Sequence, residues 1–136
     1  MMLRPNDLGL VTRGLLLASG LLAAGVAAAS LITPDAFYAV YGIDIGTDLN
    51  LTNELKASAG VLLAVGILTL RGVFRTDFAN VALGIAATVY LSYALSRLVS
   101  MATDGVPEFS LVVAALIELT AGAACLIRLL RKGVKT

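Results

Sequence analysis

Four stretches of about 20 predominantly apolar residues constrain this chain more than anything else, since each is long enough to cross a bilayer as a helix. They run from about Gly14 to Ile32, Asn53 to Leu70, Phe78 to Met101 and Phe109 to Leu130. In lipid the backbone must satisfy its own hydrogen bonds, which a helix does within one segment. Thr33-Pro34 closes the first stretch, because proline cannot continue the ladder. Four spans in 136 residues predict an all-α, four-helix transmembrane bundle that takes up the chain as a single membrane domain.

Composition supports this and excludes much else. The chain is 59% hydrophobic and 14% charged, against about 45–50% and about 25% in a soluble domain. A net charge of +1, with no basic patch beyond the C-terminus, speaks against nucleic acid as a partner. The single cysteine, Cys125, cannot form an intrachain disulfide. The absence of histidine removes His-ligated zinc or haem and both Ser-His-Asp and Cys-His chemistry. Asp44 to Asp48 lacks the spacing and closing glutamate of a calcium loop, so these read as solvated loop acids. No metal and no cofactor is expected.

The first span resembles a signal peptide in its charged start and its Ala27-Ala28-Ala29 run. Its apolar stretch is longer than a usual signal core, which predicts a retained span. Charge placement then predicts orientation. Arg4 and Arg13 precede span one, Arg71 and Arg75 separate spans two and three, and Arg128, Arg131, Lys132 and Lys135 follow span four. The opposite side carries Asp35, Asp44, Asp48, Asp104 and Glu108, with Lys56 and Arg97 near it. The positive-inside rule places both termini in the cytoplasm.

The loop after span one predicts a short interfacial helix, with Thr33 as N-cap, Pro34 at its first position and Gly42 beyond its end. Phe37, Tyr38 and Tyr41 are expected as headgroup-level anchors, the alternative being a lid over a pocket. Small residues recur in the spans: Gly14, Gly20 and Gly25 in the first, Gly60 and Gly66 in the second, Gly84 in the third and Gly122 in the fourth. They predict close helix–helix approach, which in lipid rests on packing rather than on the hydrophobic effect.

Charges inside spans carry the functional signal, because each costs about 2.5–3.5 kcal/mol at the bilayer centre on insertion scales. Glu118 lies about 13 Å into span four at 1.5 Å per residue. Arg97 sits near the outer end of span three, and Glu54 and Lys56 open span two. Tyr90, Tyr93 and Arg97 share one helical face, with Ser96 beside it. Glu118, Ala121, Gly122 and Cys125 share another, and Ser58 follows Glu54 by one turn. A cavity floored by small residues and ringed by Glu, Arg, Tyr and Ser is one consistent picture. A Glu–Arg pair that merely pins helix register is the other. Cys125 reads as a small packing residue.

The run NELKASAG at Asn53, Arg97-Leu98, Asp104-Gly105-Val106-Pro107 and Glu118-Leu119 occur in an order that resembles a family of small four-span bacterial integral membrane proteins. That family is catalogued only as a domain of unknown function. The resemblance implies a four-helix membrane fold, a bacterial inner membrane location and a polar set of Glu54, Lys56, Arg97, Asp104 and Glu118. Lys56 departs from the family pattern, which has arginine there, and so lacks a two-pronged grip on carboxylate. The Asp104–Pro107 loop also has a turn explanation, with Gly105 for a special backbone angle and proline near the next helix start.

Two functions follow. In the first, the protein binds or acts on a small lipophilic molecule. Glu118 is then the catalytic acid or base, Arg97 holds negative charge, and Glu54, Lys56, Tyr90, Tyr93 and Asp104 contribute to binding. In the second, it is a non-catalytic accessory or interaction subunit of a larger membrane complex, with a membrane protein as partner. Membrane lipid surrounds it in both. Proton or ion transport is the weaker reading, because the cytoplasmic halves of the spans hold no relay.

Overall fold

The computed structural model describes residues 8–132, apart from the side chain of Lys132. Arg4 and Lys135, counted above among the terminal charges, lie outside the described residues. The described residues are helical, with no strand: α1 (Leu10–Ile32), α2 (Pro34–Ala39), α3 (Leu49–Phe74), α4 (Ala79–Thr103) and α5 (Phe109–Lys132), with a 3-10 turn over Thr76–Phe78. α1, α3, α4 and α5 are each long and apolar enough to span a membrane.

Helix ends differ from the hydropathy reading for identifiable reasons. α3 begins at Leu49 because Asp48 caps it, its carboxylate accepting from the Asn50 and Leu51 amides at 2.9 and 3.1 Å. Asn50, Thr52, Asn53, Glu54 and Lys56 therefore fall within its first turns, interspersed with Leu49, Leu51 and Leu55, ahead of the continuous apolar stretch. α1 starts at Leu10, about a turn early, with Arg13 exposed on its surface. Thr33 precedes α2, and Pro34 takes its first position as expected. Its hydroxyl does not cap α2; it donates back to the Ala29 carbonyl of α1 at 3.3 Å.

Two tight helix pairs make up the bundle, α1 with α3 and α4 with α5, and α3 against α4 joins them. Glycine sets the closeness at both seams. A Cβ on Gly66 would stand 2.7 Å from the Ala24 backbone nitrogen, and one on Gly122 would stand 2.9 Å from that of Leu91. Gly20 meets Leu70 in the same way, and Gly72 meets Ala82. Gly14, Gly25 and Gly60 face open space instead. The core between the pairs is built on Leu16, Ala23, Leu83, Ala86, Ala87, Tyr90 and Cys125. Such a core of alanines lets helices approach closely, as expected where dispersion contacts hold a bundle together.

Polar links stitch the pairs. Tyr90 donates to the Ser19 carbonyl at 2.6 Å, and Ser19 Oγ lies 3.4 Å from Cys125 Sγ. At the end carrying the helix termini, Arg128 Nε donates to the fully buried Thr12 hydroxyl at 2.7 Å. α1 and α5 otherwise touch little, far less than either tight pair, which leaves their seam loose.

Candidate functional site

The site lies at the opposite end, where the α1–α3 and α4–α5 connections meet. α2 and the turn after it fold over the bundle there. Gly42, with φ of +71°, allows the Gly42 amide to reach the Ala39 carbonyl and the Ile43 amide to reach that of Tyr38. This is a Schellman termination, which reverses the chain within one turn. A Cβ at Gly42 would stand 3.3 Å from Cγ of Glu108, so this turn packs on the α4–α5 loop. That loop turns at Gly105, φ +106°, as its sequence predicts.

α2 carries Phe37 and Tyr38, and Tyr41 follows in the turn. Phe37 packs edge-on against both tyrosines, with ring centroids 5.1 and 5.3 Å apart. The buried Ser30 hydroxyl donates to Tyr38 Oη at 3.0 Å and ties the cover to α1. All three rings line a cavity of about 310 Å³, as the lid alternative has them.

Below the roof, α1 contributes Leu22, Ala23 and Val26, and α3 contributes Ser58, Ala59 and Leu62. α4 supplies Tyr90, Tyr93 and Arg97, and α5 supplies Leu111, Ala114, Ile117 and Glu118. Arg97 Nε donates to Glu118 Oε2 at 2.8 Å and Nη2 to Oε1 at 3.2 Å. The side chains are 30% and 15% exposed, so the pair is set into the cavity wall rather than sealed in the core. A two-pronged pair fixes the guanidinium plane as well as its distance. Guanidinium has five N–H donors and carboxylate about four acceptor positions, so both retain unused capacity towards the cavity.

Of the residues singled out by sequence, Arg97, Glu118, Tyr90 and Tyr93 come together here. Tyr90 presents its ring, since its hydroxyl is committed to Ser19. The Tyr93 hydroxyl makes no hydrogen bond among the described residues. Glu54, Lys56 and Asp104 do not line the cavity and are exposed. The early start of α3 puts Glu54 and Lys56 in its second turn, where solvent reaches them. Asp104 ends α4 and accepts from Ser100 Oγ at 3.0 Å. Only the Glu54 backbone carbonyl takes part, accepting from Ser58 Oγ at 3.0 Å. Gly122 and Cys125 pack against α4 and α1 instead of flooring the cavity, whose small residues are Ala23, Ala59 and Ala114. Ser30 is part of the site and was not singled out by sequence, whereas Phe37 and Tyr38 line it as the lid alternative has them.

No group of three or more potential metal-ligating side chains occurs among the described residues. Asp44 serves a turn, accepting from the Gly46 amide at 2.9 Å, and Asp48 serves its helix cap.

Comparison with curated proteins and with solved structures gives no match. The model of one family, described as a domain of unknown function (DUF4345), matches residues 11–129, which include all four long apolar helices but for the ends of α1 and α5. The chain thus belongs to the DUF4345 family, a family of unassigned activity with the build of a small membrane protein.

Proposed function

We propose that the protein binds a small lipophilic molecule in the roofed cavity, with Arg97 and Glu118 as its polar anchor. One observation carries this reading: a two-pronged ion pair, part-exposed, in the wall of an otherwise largely apolar pocket. Ligand pockets characteristically combine apolar lining with a few placed polar groups. A pair that served only to pin helices would be expected between them, without a cavity at its side. Binding is the function this geometry supports best. Acid or base chemistry at Glu118 would further require Arg97 to release at least one of its two oxygens.

The membrane is proposed to be a bacterial inner membrane, with the termini in the cytoplasm. Arg13, Arg71, Arg75, Arg128 and Arg131 belong to the end opposite the cavity. Asp35, Asp44, Asp48, Asp104 and Glu108 belong to the cavity end. This asymmetry supports an extracytoplasmic pocket.

Native mass spectrometry of the protein released from its own membrane tests the binding reading. A retained small molecule is expected in the wild type and lost in Glu118→Gln, with cooperative unfolding kept in both. Failure to recover any molecule from the wild type, or an unfolded Glu118→Gln, sinks it.

The second reading, an accessory subunit packed on partner helices, draws on Gly14, Gly25 and Gly60, whose faces meet nothing in the bundle. Mild-detergent purification separates the two: a stoichiometric protein partner favours the subunit, and a stable monomer holding a small molecule favours the binder.

A further inference from the structure

The cavity does not end at the ion pair. Leu22 of α1 and Ile117 of α5 line it on one side, and the same two residues line a second, almost wholly apolar groove of about 460 Å³. That groove follows the loose α1–α5 seam towards the far end. Ala18 and Leu15 border it on α1, and Leu116, Thr120 and Ala124 border it on α5. Ser19, which meets Cys125, lies in its wall, and beyond it the seam closes where Arg128 meets Thr12. Leu116, Ile117 and Thr120 are exposed on the outer face of α5, so the groove opens sideways, where lipid surrounds a spanning bundle.

From this shared wall we infer that cavity and groove hold one molecule, an uncharged single-chain amphiphile from the bilayer, its head beside Arg97–Glu118 and its chain between α1 and α5, passing Leu22 and Ile117. The inference rests on the binding reading above and adds the class of ligand. The head follows from charge. Arg97 and Glu118 already neutralise each other, so an anionic or cationic head would leave a net charge in an apolar wall. A hydroxyl or carbonyl head instead finds spare donors on guanidinium and spare acceptors on carboxylate. The chain follows from shape. The groove is shallow, apolar and open to the side, and it adjoins the head site at Leu22 and Ile117, which suits one acyl or isoprenyl chain lying along the helices better than a compact ring system. Entry is lateral, because the groove opens sideways between α1 and α5.

The test uses the full chain in nanodiscs and three probes: monooctanoylglycerol, monooleoylglycerol and oleate at alkaline pH. Exposed groove positions give variants that spare the core, and Ala18→Phe is the simplest. Ser58→Trp fills the cavity from an exposed position and serves as the head-site control. The wild type is expected to retain monooleoylglycerol over oleate by at least about tenfold, roughly 1.4 kcal/mol. Ala18→Phe is expected to weaken monooleoylglycerol about tenfold while leaving monooctanoylglycerol unchanged, and Ser58→Trp to weaken both. Unchanged binding of monooleoylglycerol in Ala18→Phe, or equal weakening of both glycerides, overturns the groove while the cavity reading stands. Tighter binding of oleate overturns the uncharged head. Retention of no probe by the wild type overturns the binding reading itself.

Discussion

Arg97 on α4 and Glu118 on α5 grip each other through two hydrogen bonds, 2.8 and 3.2 Å long, across neighbouring helices. Each charge would be costly alone in an apolar wall, so the energetics of the two are joined. Replacing Glu118 by leucine strands the guanidinium and is expected to destabilise by about 1–3 kcal/mol, below the range for a fully buried pair. Adding Arg97→Leu should recover most of that loss, because two leucines fill the wall without charge. Equilibrium unfolding in mixed micelles of the two single variants and the double variant measures the coupling. A double variant as unstable as the sum of its parts would show that the contact contributes nothing.

Glycine positions divide into two classes with opposite expected outcomes. At Gly66 a methyl group would press on the Ala24 backbone, which cannot move aside as a side chain can. Gly66→Val is expected to separate α1 from α3 and cost at least about 2 kcal/mol, in the range of overpacking. At Gly60 nothing lies within reach, and Gly60→Ala gains helix propensity of up to about 1 kcal/mol. Thermal unfolding of both variants should move in opposite directions.

Tyr90 supplies a finer test of the link between α4 and α1. Its hydroxyl donates at 2.6 Å to the Ser19 carbonyl, beside the ring face that lines the cavity. Tyr90→Phe keeps the ring and removes this bond, at an expected cost of about 0.5–1.5 kcal/mol. Ligand retention should survive, since the cavity wall keeps its shape. Loss of the ligand with stability unchanged would instead make the hydroxyl a contact group.

The four spans could be read from sequence because lipid imposes one length and one polarity on any helix that crosses it. Arg97 and Glu118 could be read for the same reason: a charge within such a run needs a partner. Glu54 and Lys56 lie outside the cavity: hydropathy starts a span at its apolar residues, whereas Asp48 starts the helix one turn earlier. The roof was harder to foresee. From sequence, Phe37, Tyr38 and Tyr41 suit headgroup anchors as well as a lid, and only the folded chain places their rings on the cavity. The grip of Arg128 on Thr12 was hidden because a basic residue at a span end already has a topological explanation.

Cys125 offers a reporter for the closed end of the α1–α5 seam. It is the only cysteine, it is fully buried, and its sulfur lies 3.4 Å from the Ser19 hydroxyl. A thiol that water and reagents cannot reach reacts only when the structure opens. Maleimide should leave the folded protein unlabelled and modify one site completely after denaturation. Thr12→Val removes the acceptor of Arg128 Nε at the same end of the seam, at an expected cost of about 1–3 kcal/mol for the stranded donor. If that contact helps hold α5 to α1, labelling of Cys125 in Thr12→Val should accelerate under native conditions, by about tenfold for each 1.4 kcal/mol lost. Mass spectrometry of the labelled chain reads the rate directly. Fast labelling of the wild type would mean that the seam opens along its whole length, and unchanged labelling in Thr12→Val would mean that Arg128 holds nothing at Cys125.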